Sequence, residues 1–253
     1  MIKEAVIMAG GLGSRFGGRT TEMPKGFIEI DGTPMVELSV QKLIEAGVEK
    51  IIIGTGHCSE WYDNLAKKYP QIKTVRNDNY MNTSSMGTLE VCAPFIDDTC
   101  FLLESDLIYD KIGLAVLNND ERANVILASG KSNSHDEVYL GADSKNRLTE
   151  VSKDKSIIPE PAGELVGITK VSKSALTKMC TYYDQNREQL IKLDYEGALK
   201  RISTSGNEPV YVRKVEYYAW TEIDDEAMLD RALNKIYPRI KENEYLYSLI
   251  QTL

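Results

Sequence analysis

Residues 5–15 read AVIMAGGLGSR, an apolar run that passes directly into a cluster of three glycines. The run of residues 5–9 is short and apolar, which is typical of a buried strand. Glycines clustered after a strand let backbone N–H groups approach an anion closely, and the usual ligand of such a loop is a polyphosphate. The stretch therefore predicts an α/β fold with a phosphate-binding loop at the end of its first strand.

The glycine cluster matches neither of two familiar phosphate-binding loops. A P-loop ends in Gly-Lys-Ser or Gly-Lys-Thr, and this loop lacks that ending. A dinucleotide-binding loop needs a third glycine where Phe16 stands, and a carboxylate after the second strand. The second strand runs instead into residues 54–57, which read GTGH. A dehydrogenase is therefore disfavoured.

Strands and helices alternate on the C-terminal side of the loop. The predicted strands of this half are residues 5–9, 50–54, 99–104 and 125–129, and its predicted helices are residues 35–47, 59–69 and 85–92. Such alternation is typical of a mostly parallel sheet covered by helices on both faces. The remaining predictions are a hairpin of residues 138–142 and 148–152, strands at 165–171 and 209–215, and helices at 172–185 and 225–237. We therefore expect one α/β domain over residues 1–253, with a small β-rich insertion after about residue 130.

The composition fits a globular protein and excludes several functional classes. The 253 residues are 42% hydrophobic and 27% charged, which is enough apolar mass for one core. The net charge of −8 and the pI near 5.0 argue against a broad basic face for nucleic acid or an anionic membrane. No apolar run approaches the roughly 18 residues of a membrane-spanning helix, and no signal peptide is evident. We expect a soluble protein without nucleic-acid or membrane partners.

The cysteine pattern indicates the compartment. The four cysteines form no Cys-x-x-Cys pair, and the sequence contains only two histidines. Zinc sites and disulfide frameworks need closer or richer spacing than this. Free thiols in a reducing compartment, the cytoplasm, are therefore expected.

The glycine loop continues into a longer motif that resembles a known family. Residues 9–37 read AGGLGSRFGGRTTEMPKGFIEIDGTPMVE. The order GGxGxR, then Pro-Lys, then G-x-P, resembles the nucleotidyltransferases that make nucleotide-activated metabolites. The resemblance implies a Rossmann-like fold whose glycine loop wraps a nucleoside triphosphate. On that resemblance Arg15 and Lys25 neutralise charge on the transferred phosphate, and the loop residues expected to bind the nucleotide are Met8, Ala9, Gly10, Gly11 and Gly13.

Two acidic segments are candidates for a metal site. The family places one aspartate after a central strand and another far down the chain, and together they hold Mg²⁺. Residues 101–106 read FLLESD and residues 220–225 read WTEIDD. Carboxylate oxygens after buried strands suit this hard cation. The resemblance thus assigns Asp106 and Asp224 to the metal, while Asp225 fits a helix N-cap, a role that also remains an alternative for Asp106.

The segment before the helix at 85–92 concerns the base. Related enzymes use this segment to contact the base, and the hydroxyls of Thr83 and Ser84 suit a pyrimidine edge. Both hydroxyls also suit helix caps, and this alternative stays open. Within the family the sequence is most similar to small cytidylyltransferases that activate phosphocholine or 2-aminoethylphosphonate. The motifs LLESDLIYD, GELVGI, DYEGALKRI and YYAWTEIDD extend this resemblance over nearly the whole chain.

The acceptor of such an enzyme carries an amine, and the sequence favours a primary one. A quaternary ammonium is usually held by an aromatic cage, preferably with tryptophan. Residues 132–139 read SNSHDEVY, which is polar and acidic without tryptophan. A primary ammonium donates hydrogen bonds, so carboxylates suit it better. The candidate contacts are Glu164, which follows the family's placement of a glutamate, and Asp136, Asp194 and Tyr195, for which solvated surface positions are the alternative.

These predictions together define an expected reaction. Residues 1–130 would bind CTP and residues 131–253 a small amine-bearing phosphonate or phosphate, with Mg²⁺ as the cofactor. The favoured acceptor is 2-aminoethylphosphonate, which would place the enzyme in phosphonate biosynthesis. The alternatives are phosphocholine, a sugar 1-phosphate, and a regulatory subunit that binds nucleotide without turnover. Nothing in the sequence opposes assembly as a homo-oligomer.

Overall fold

The computed structural model describes residues 1–13, 16, 20–206 and 208–251. Its strands are β1 (Glu4–Ala9), β2 (Glu29–Ile30), β3 (Thr33–Pro34), β4 (Lys50–Thr55), β5 (Ile72–Arg76), β6 (Cys100–Glu104), β7 (Leu107–Tyr109), β8 (Val125–Ser129), β9 (Tyr139–Ala142), β10 (Leu148–Ser152), β11 (Gly163–Val171), β12 (Tyr211–Val215) and β13 (Trp220–Glu222). Its α-helices are α1 (Met35–Glu45), α2 (Ser59–Ala66), α3 (Ser85–Cys92), α4 (Ile112–Asn119), α5 (Lys173–Gln185), α6 (Arg187–Leu190), α7 (Tyr195–Thr204), α8 (Glu226–Arg231) and α9 (Tyr237–Gln251). Short 3₁₀ turns at Lys25–Phe27 and Ala93–Phe95 and a π turn at Ala232–Ile236 complete the helical structure of these residues.

Within the described residues, nine strands form one continuous sheet. Strands β5, β4, β1 and β6 are parallel neighbours in that order. Strand β11 joins β6 in the antiparallel direction and also pairs with β8 and β9. Glu164 of β11 lies in register with Ser129 of β8 and with Tyr139 of β9. Residues 130–138, which link β8 to β9, therefore begin and end beside the same residue of β11.

The centre of the sheet is buried on both faces, which explains why central strands such as β1, β4 and β6 are almost continuously apolar. All six residues of β1 are buried, and their side chains alternate between two hydrophobic clusters. Ile7 and its neighbours pack against α1, α2 and α4, whereas Val6 and Met8 pack against α3, α5 and α7. A third cluster lies among β2, β7, α8 and α9. No helix within the described ranges has both the length and the apolar character needed to cross a bilayer.

A separate two-stranded ribbon of β7 and β13 joins the middle of the chain to its C-terminal part. Glu222 of β13 lies opposite Leu107 of β7. One residue further along, the backbone N–H of Ile223 donates to the carbonyl of Asp106 at 3.0 Å. The ribbon therefore brings two segments together that are more than a hundred residues apart in sequence.

The predicted fold class is confirmed, and the differences are in detail. The β-rich part is not folded against the sheet as an insertion, because β8 to β12 belong to the main sheet itself. Several elements were not predicted, among them strand β5 and helices α4, α7 and α9. Strand β5 reads IKTVR at the edge of the sheet, where half-exposed polar side chains weaken the apolar pattern. The predicted helix at 172–185 is present as α5, and it is capped by the Ser172 hydroxyl, which accepts from the N–H of Ala175 at 3.1 Å.

Candidate functional site

A cleft of about 470 Å³ lies where β1 and β6 end. The carboxyl edge of an open α/β sheet is the usual place for a ligand. Every described residue that the sequence predicts for the nucleotide lines this cleft, namely Met8, Ala9, Gly10, Gly11, Gly13, Thr83 and Ser84. Lys25 and the two predicted metal ligands line it as well. The structure thus brings the predicted nucleotide and metal residues to one place.

Two glycines of the loop are required by local geometry. A Cβ on Gly10 would lie 2.5 Å from the Thr88 hydroxyl of α3, so the loop backbone packs directly on that helix. Gly13 has a φ of +64°, in the left-handed region that favours glycine. These constraints place the loop backbone in the cleft wall. Arg15, the other predicted charge-neutralising residue, lies outside the described residues.

Thr83 has a structural role in the turn before α3. It is 9% exposed, and its hydroxyl accepts from the Asn77 side-chain amide at 2.9 Å. The same hydroxyl donates to the Asn79 carbonyl at 3.1 Å. Its hydrogen-bonding groups are thus engaged within the protein, so its contact with a ligand would come from the part of the residue that lines the cleft.

Two serines join this turn to the start of α7. The Ser84 hydroxyl donates to the Asp194 carboxylate, although Ser84 was also a candidate cap of α3 and makes no such cap. The Ser85 hydroxyl accepts from the backbone N–H of Tyr195 at 2.9 Å. The predicted base-binding segment is therefore held directly against residues predicted to bind the acceptor.

Lys25 lies at the centre of the acidic part of the cleft. Its ammonium forms ion pairs with Asp106 and Asp224 and lies 4.0 Å from a carboxylate oxygen of Glu222. The Lys25 side chain is only 11% exposed. The β7–β13 ribbon produces this arrangement, because it places Asp106 beside the segment that carries Glu222 and Asp224.

The carboxylates and the lysine perturb each other's ionisation. Burial by itself would lower the pKa of Lys25, but the charges of Asp106, Asp224 and Glu222 raise that pKa above its ordinary value. Burial, followed by the charges of Asp106 and Asp224, raises the pKa of Glu222 to about 9. Burial and the charge of Glu222 raise the pKa of Glu104 as well. Raised pKa values mean that these crowded carboxylates favour a bound positive charge, whether it is a proton or a cation.

Two sets of carboxylates are close enough together to share a cation. One set is Glu104, Asp106 and Glu222, and the other is Asp136, Glu222 and Asp224; within each set the oxygens lie within 4.8 Å of one another. The donors are all carboxylate oxygens, which is the ligand chemistry of a hard divalent cation. Asp225 has a different role, since its carboxylate accepts from the N–H of Met228 at 2.8 Å and caps α8. The predicted cap at Asp225 is thus confirmed, and the metal role of Asp224 stays a prediction.

The residues predicted for the acceptor lie in different surroundings. Asp136 and Asp194 line the cleft, and Asp136 forms an ion pair with Lys153 at 2.6 Å. Tyr195 is fully buried at the start of α7 and is not a lining residue. Glu164 is 6% exposed and is not a lining residue either. Its carboxylate accepts from the backbone N–H of Ser132 at 2.7 Å.

Three glutamates of the cleft were not predicted: Glu104, Glu196 and Glu222. Glu222 could have been found from its spacing. It stands two residues before Asp224, and side chains two residues apart in an extended segment point to the same side. Glu196 lies in the first turn of α7, where its Oε2 is buried and accepts no hydrogen bond from the described residues. Burial, followed by the charge of Asp194, raises the pKa of Glu196 to about 7. The buried Oε2 of Glu196 can therefore accept a hydrogen bond from a ligand in the cleft.

Comparisons with known proteins identify cytidylyltransferases among the relatives of this chain. The chain is 33% identical over 105 residues to a 2-aminoethylphosphonate cytidylyltransferase of Lancefieldella rimae, covering 41% of this chain and 43% of that protein. It is 26% identical over 193 residues to a choline-phosphate cytidylyltransferase of Haemophilus influenzae, covering 76% of this chain and 80% of that protein. The match to the first relative thus spans less than half of that relative's length.

A solved structure supports the fold. The inositol-1-phosphate CTP transferase of T. maritima superposes with a TM-score of 0.81 at 19% identity, covering 95% of this chain and 97% of that one. The sequence profile of the MobA-like NTP transferase domain matches residues 5–156, which is more than half of the chain. The predicted resemblance is thereby confirmed, and the chain belongs to the MobA-like NTP transferase domain family of nucleotidyltransferases.

Proposed function

We propose that this protein is a CTP-dependent cytidylyltransferase that converts 2-aminoethylphosphonate to CMP-2-aminoethylphosphonate and releases pyrophosphate. The observation that carries the proposal is the composition of one cleft. A glycine loop and Lys25 lie beside clustered metal-type carboxylates, and further carboxylates line the part of the cleft built by residues 131–253. A nucleoside triphosphate needs the first group, and an amine-bearing acceptor suits the second.

The residues present fit a magnesium ion, which relatives of this kind of enzyme are expected to use. Asp106, Glu222 and Asp224 are the proposed ligands, because Glu222 belongs to a close carboxylate set with each of the two aspartates and all three lie around the Lys25 ammonium. When bound, magnesium would neutralise charge on the phosphates of the nucleotide and product.

The proposed chemistry needs no general base. An oxygen of the acceptor phosphonate is ionised near neutral pH and attacks the α-phosphorus of CTP in line. A new P–O bond forms, the bond to the bridging α–β oxygen breaks, and pyrophosphate departs with the electron pair. Lys25 donates to the phosphate oxygens on which charge accumulates, and Arg15 is proposed to assist it. Catalysis is then positioning and charge neutralisation.

The amine of the acceptor is proposed to be recognised by carboxylates. Asp136 and Asp194 line the cleft and keep their predicted roles, while Glu196 adds a buried oxygen without a hydrogen-bond partner among the described residues. A primary ammonium donates three hydrogen bonds and suits such oxygens. Glu164 and Tyr195 do not line the cleft, so we propose that they support the acceptor site from behind.

Phosphocholine is the second candidate acceptor. Trp220 and Tyr80 line the same cleft, and aromatic faces are the usual partners of a quaternary ammonium. The carboxylates outnumber these rings among the lining residues, which favours the primary amine. A sugar 1-phosphate is less suited, because it has no cationic group to compensate these acids.

The first test is pyrophosphate release with Mg²⁺ and CTP. The acceptor panel comprises 2-aminoethylphosphonate, phosphoethanolamine, phosphocholine and several sugar 1-phosphates, with UTP in place of CTP as a nucleotide control. We expect fast turnover with 2-aminoethylphosphonate and CTP, weaker turnover with phosphocholine, and loss of turnover in Asp224→Asn.

The other outcomes each change one part of the proposal. A preference for phosphocholine would retain the cytidylyltransferase and reject the carboxylate argument. Turnover of a sugar 1-phosphate alone would reject the amine pocket. Absence of release with every acceptor would support a regulatory nucleotide-binding protein. The proposed compartment is the cytoplasm, in keeping with four cysteines that are all free.

A further inference from the structure

Residues 130–138 form one wall of the cleft, and alternate residues of this loop face it. Ser132, Ser134, Asp136 and Val138 are all lining residues. The loop carries two residues with left-handed backbone, Asn133 with a φ of 52° and His135 with a φ of 70°. Its conformation is therefore irregular, and something outside the loop must fix its position.

Two partly buried hydrogen bonds hold the loop at Ser132, one to its backbone N–H and one to its carbonyl. The N–H of Ser132 donates to Oε2 of Glu164 at 2.7 Å. The carbonyl of Ser132 accepts from Nη2 of Arg231 at 2.6 Å. Glu164 is well placed for this contact, because it pairs in register with the strand residues that precede and follow the loop.

Arg231 also connects the loop to strand β13. Its Nη1 donates to the Thr221 hydroxyl at 2.9 Å, and Thr221 immediately precedes Glu222 in β13. Arg231 is the last residue of α8, the helix that follows the acidic segment and is capped by Asp225. One guanidinium thus donates hydrogen bonds both to the loop of residues 130–138 and to β13, the strand that carries Glu222.

We infer that Arg231 and Glu164 are positioning residues that set acceptor binding by fixing Ser132, and through it residues 130–138, against β13. The inference rests on the proposed function, because it assumes that this wall contacts the acceptor. It assigns Glu164 a role different from direct contact with the amine. Hydrogen bonds to a charged side chain are strong enough to hold one loop conformation, and two of them converge here.

The first experiment compares Arg231→Met with the native protein. We expect the KM for the acceptor to rise about tenfold, the size of effect that follows from losing a charge-assisted hydrogen bond, while the KM for CTP changes little. Hydrogen exchange of residues 130–138 should become faster in the substrate-free protein. Arg231→Lys keeps one cationic donor, so its acceptor KM and loop exchange should lie between those of the native protein and Arg231→Met. This variant replaces Arg231→Met if the methionine variant folds poorly.

Arg239→Met is the matched control. Arg239 also donates to a backbone carbonyl, that of Tyr217 at 2.6 Å, but Tyr217, unlike Ser132, does not line the cleft. It should leave both the acceptor KM and the exchange of residues 130–138 unchanged. The exchange measurement needs no substrate, so it tests the loop contact even if cytidylyl transfer fails with every acceptor.

Two variants of Glu164 distinguish whether its carboxylate holds Ser132 or contacts the amine of the acceptor. Glu164→Met should raise the acceptor KM and speed exchange of the loop, and Glu164→Gln should restore most of both, because the amide oxygen can accept the same hydrogen bond from Ser132. The double variant with Arg231→Met should lose less than the product of the single losses, since both act on one residue.

Two results would overturn the inference. One is an unchanged acceptor KM and unchanged loop exchange in Arg231→Met. The other is a Glu164→Gln variant whose loop is as protected as in the native protein but which no longer distinguishes 2-aminoethylphosphonate from ethylphosphonate. That second result would mean that Glu164 contacts the amine itself.

Discussion

The ammonium of Lys25 lies among three carboxylates that come from two distant parts of the chain. Its position between Asp106 and Asp224 is set by backbone pairing of β7 with β13 rather than by the lysine itself. A lysine so surrounded stays protonated over the whole neutral range, because the acids raise its pKa. It is therefore a fixed positive charge that can stabilise negative charge developing on a bound phosphate.

Replacing Lys25 tests this role. Lys25→Met should lower kcat by about 10²-fold with little change in KM, the pattern of a contact made mainly in the transition state. Steady-state pyrophosphate release at saturating Mg²⁺ measures both constants. Lys3→Met removes an exposed lysine paired with Glu49 and should leave kcat unchanged. An unaltered kcat in Lys25→Met would rule out its catalytic role.

Helix α8 shows how adjacent acids acquire different functions. Asp225 is the N-cap, and its carboxylate accepts from Met228 N–H, whereas Asp224 is 2% exposed and pairs with Lys25. The helix thus follows Asp224 directly and ends at Arg231, which donates to the carbonyl of Ser132 in the cleft wall. The contact of Asp225 caps the helix, whereas Asp224 and Arg231 contact residues that line the cleft.

The capping contact gives a prediction at the level of the element. Asp225→Ala should lower the free energy of unfolding by about 1 kcal/mol, the usual cost of losing an N-cap, and should retain most of kcat. Urea unfolding and kinetics on the same sample measure both. Ser172→Ala removes the equivalent cap of α5 and should show a similar loss of stability. If Asp225→Ala lost activity as completely as Asp224→Ala, Asp225 would have to be a metal ligand.

At the scale of the whole molecule, buried acid in the cleft reduces stability. Glu196 has a pKa of about 7 in the folded protein, above the 4.5 of an unperturbed glutamate, so folding favours its protonated form. Its contribution to stability is complete below about pH 4.5 and is lost as the pH rises through about 7. An ionised Glu196 therefore opposes folding at neutral and alkaline pH.

Glu196→Gln tests this linkage. The variant should match the native protein in stability near pH 4.5 and become more stable than it as the pH rises to 8, with a difference of at most about 3 kcal/mol. Urea unfolding across this pH range, without substrate or metal, provides the measurement. Glu188→Gln replaces an exposed glutamate and should show no such divergence. Parallel pH profiles for Glu196→Gln and the native protein would contradict the assignment.

The sequence predicted the parts of this molecule that depend on local pattern. The strand and glycine loop at residues 5–13 and the cap at Asp225 follow from neighbouring side chains. The nucleotide residues came from the family resemblance, and the structure shows that those it describes line one cleft. Glu196 could not be found in this way, because its burial depends on how α7 packs across the cleft. Glu164 was predicted as an acceptor contact, and only the three-dimensional register of β11 shows that its carboxylate accepts a hydrogen bond from Ser132.

The position of residues 130–138 has a consequence for how such proteins diversify. Both ends of the loop lie beside Glu164, so an exchange or lengthening of the loop leaves the strand order intact. The glycine loop belongs to a different part of the sheet and would keep its shape. On the proposed function, in which this loop contacts the acceptor, descendants of one ancestral gene can change acceptors by altering a nine-residue segment while residues 1–129 stay unchanged. Grafting this segment between paralogues is a direct way to build chimeric transferases.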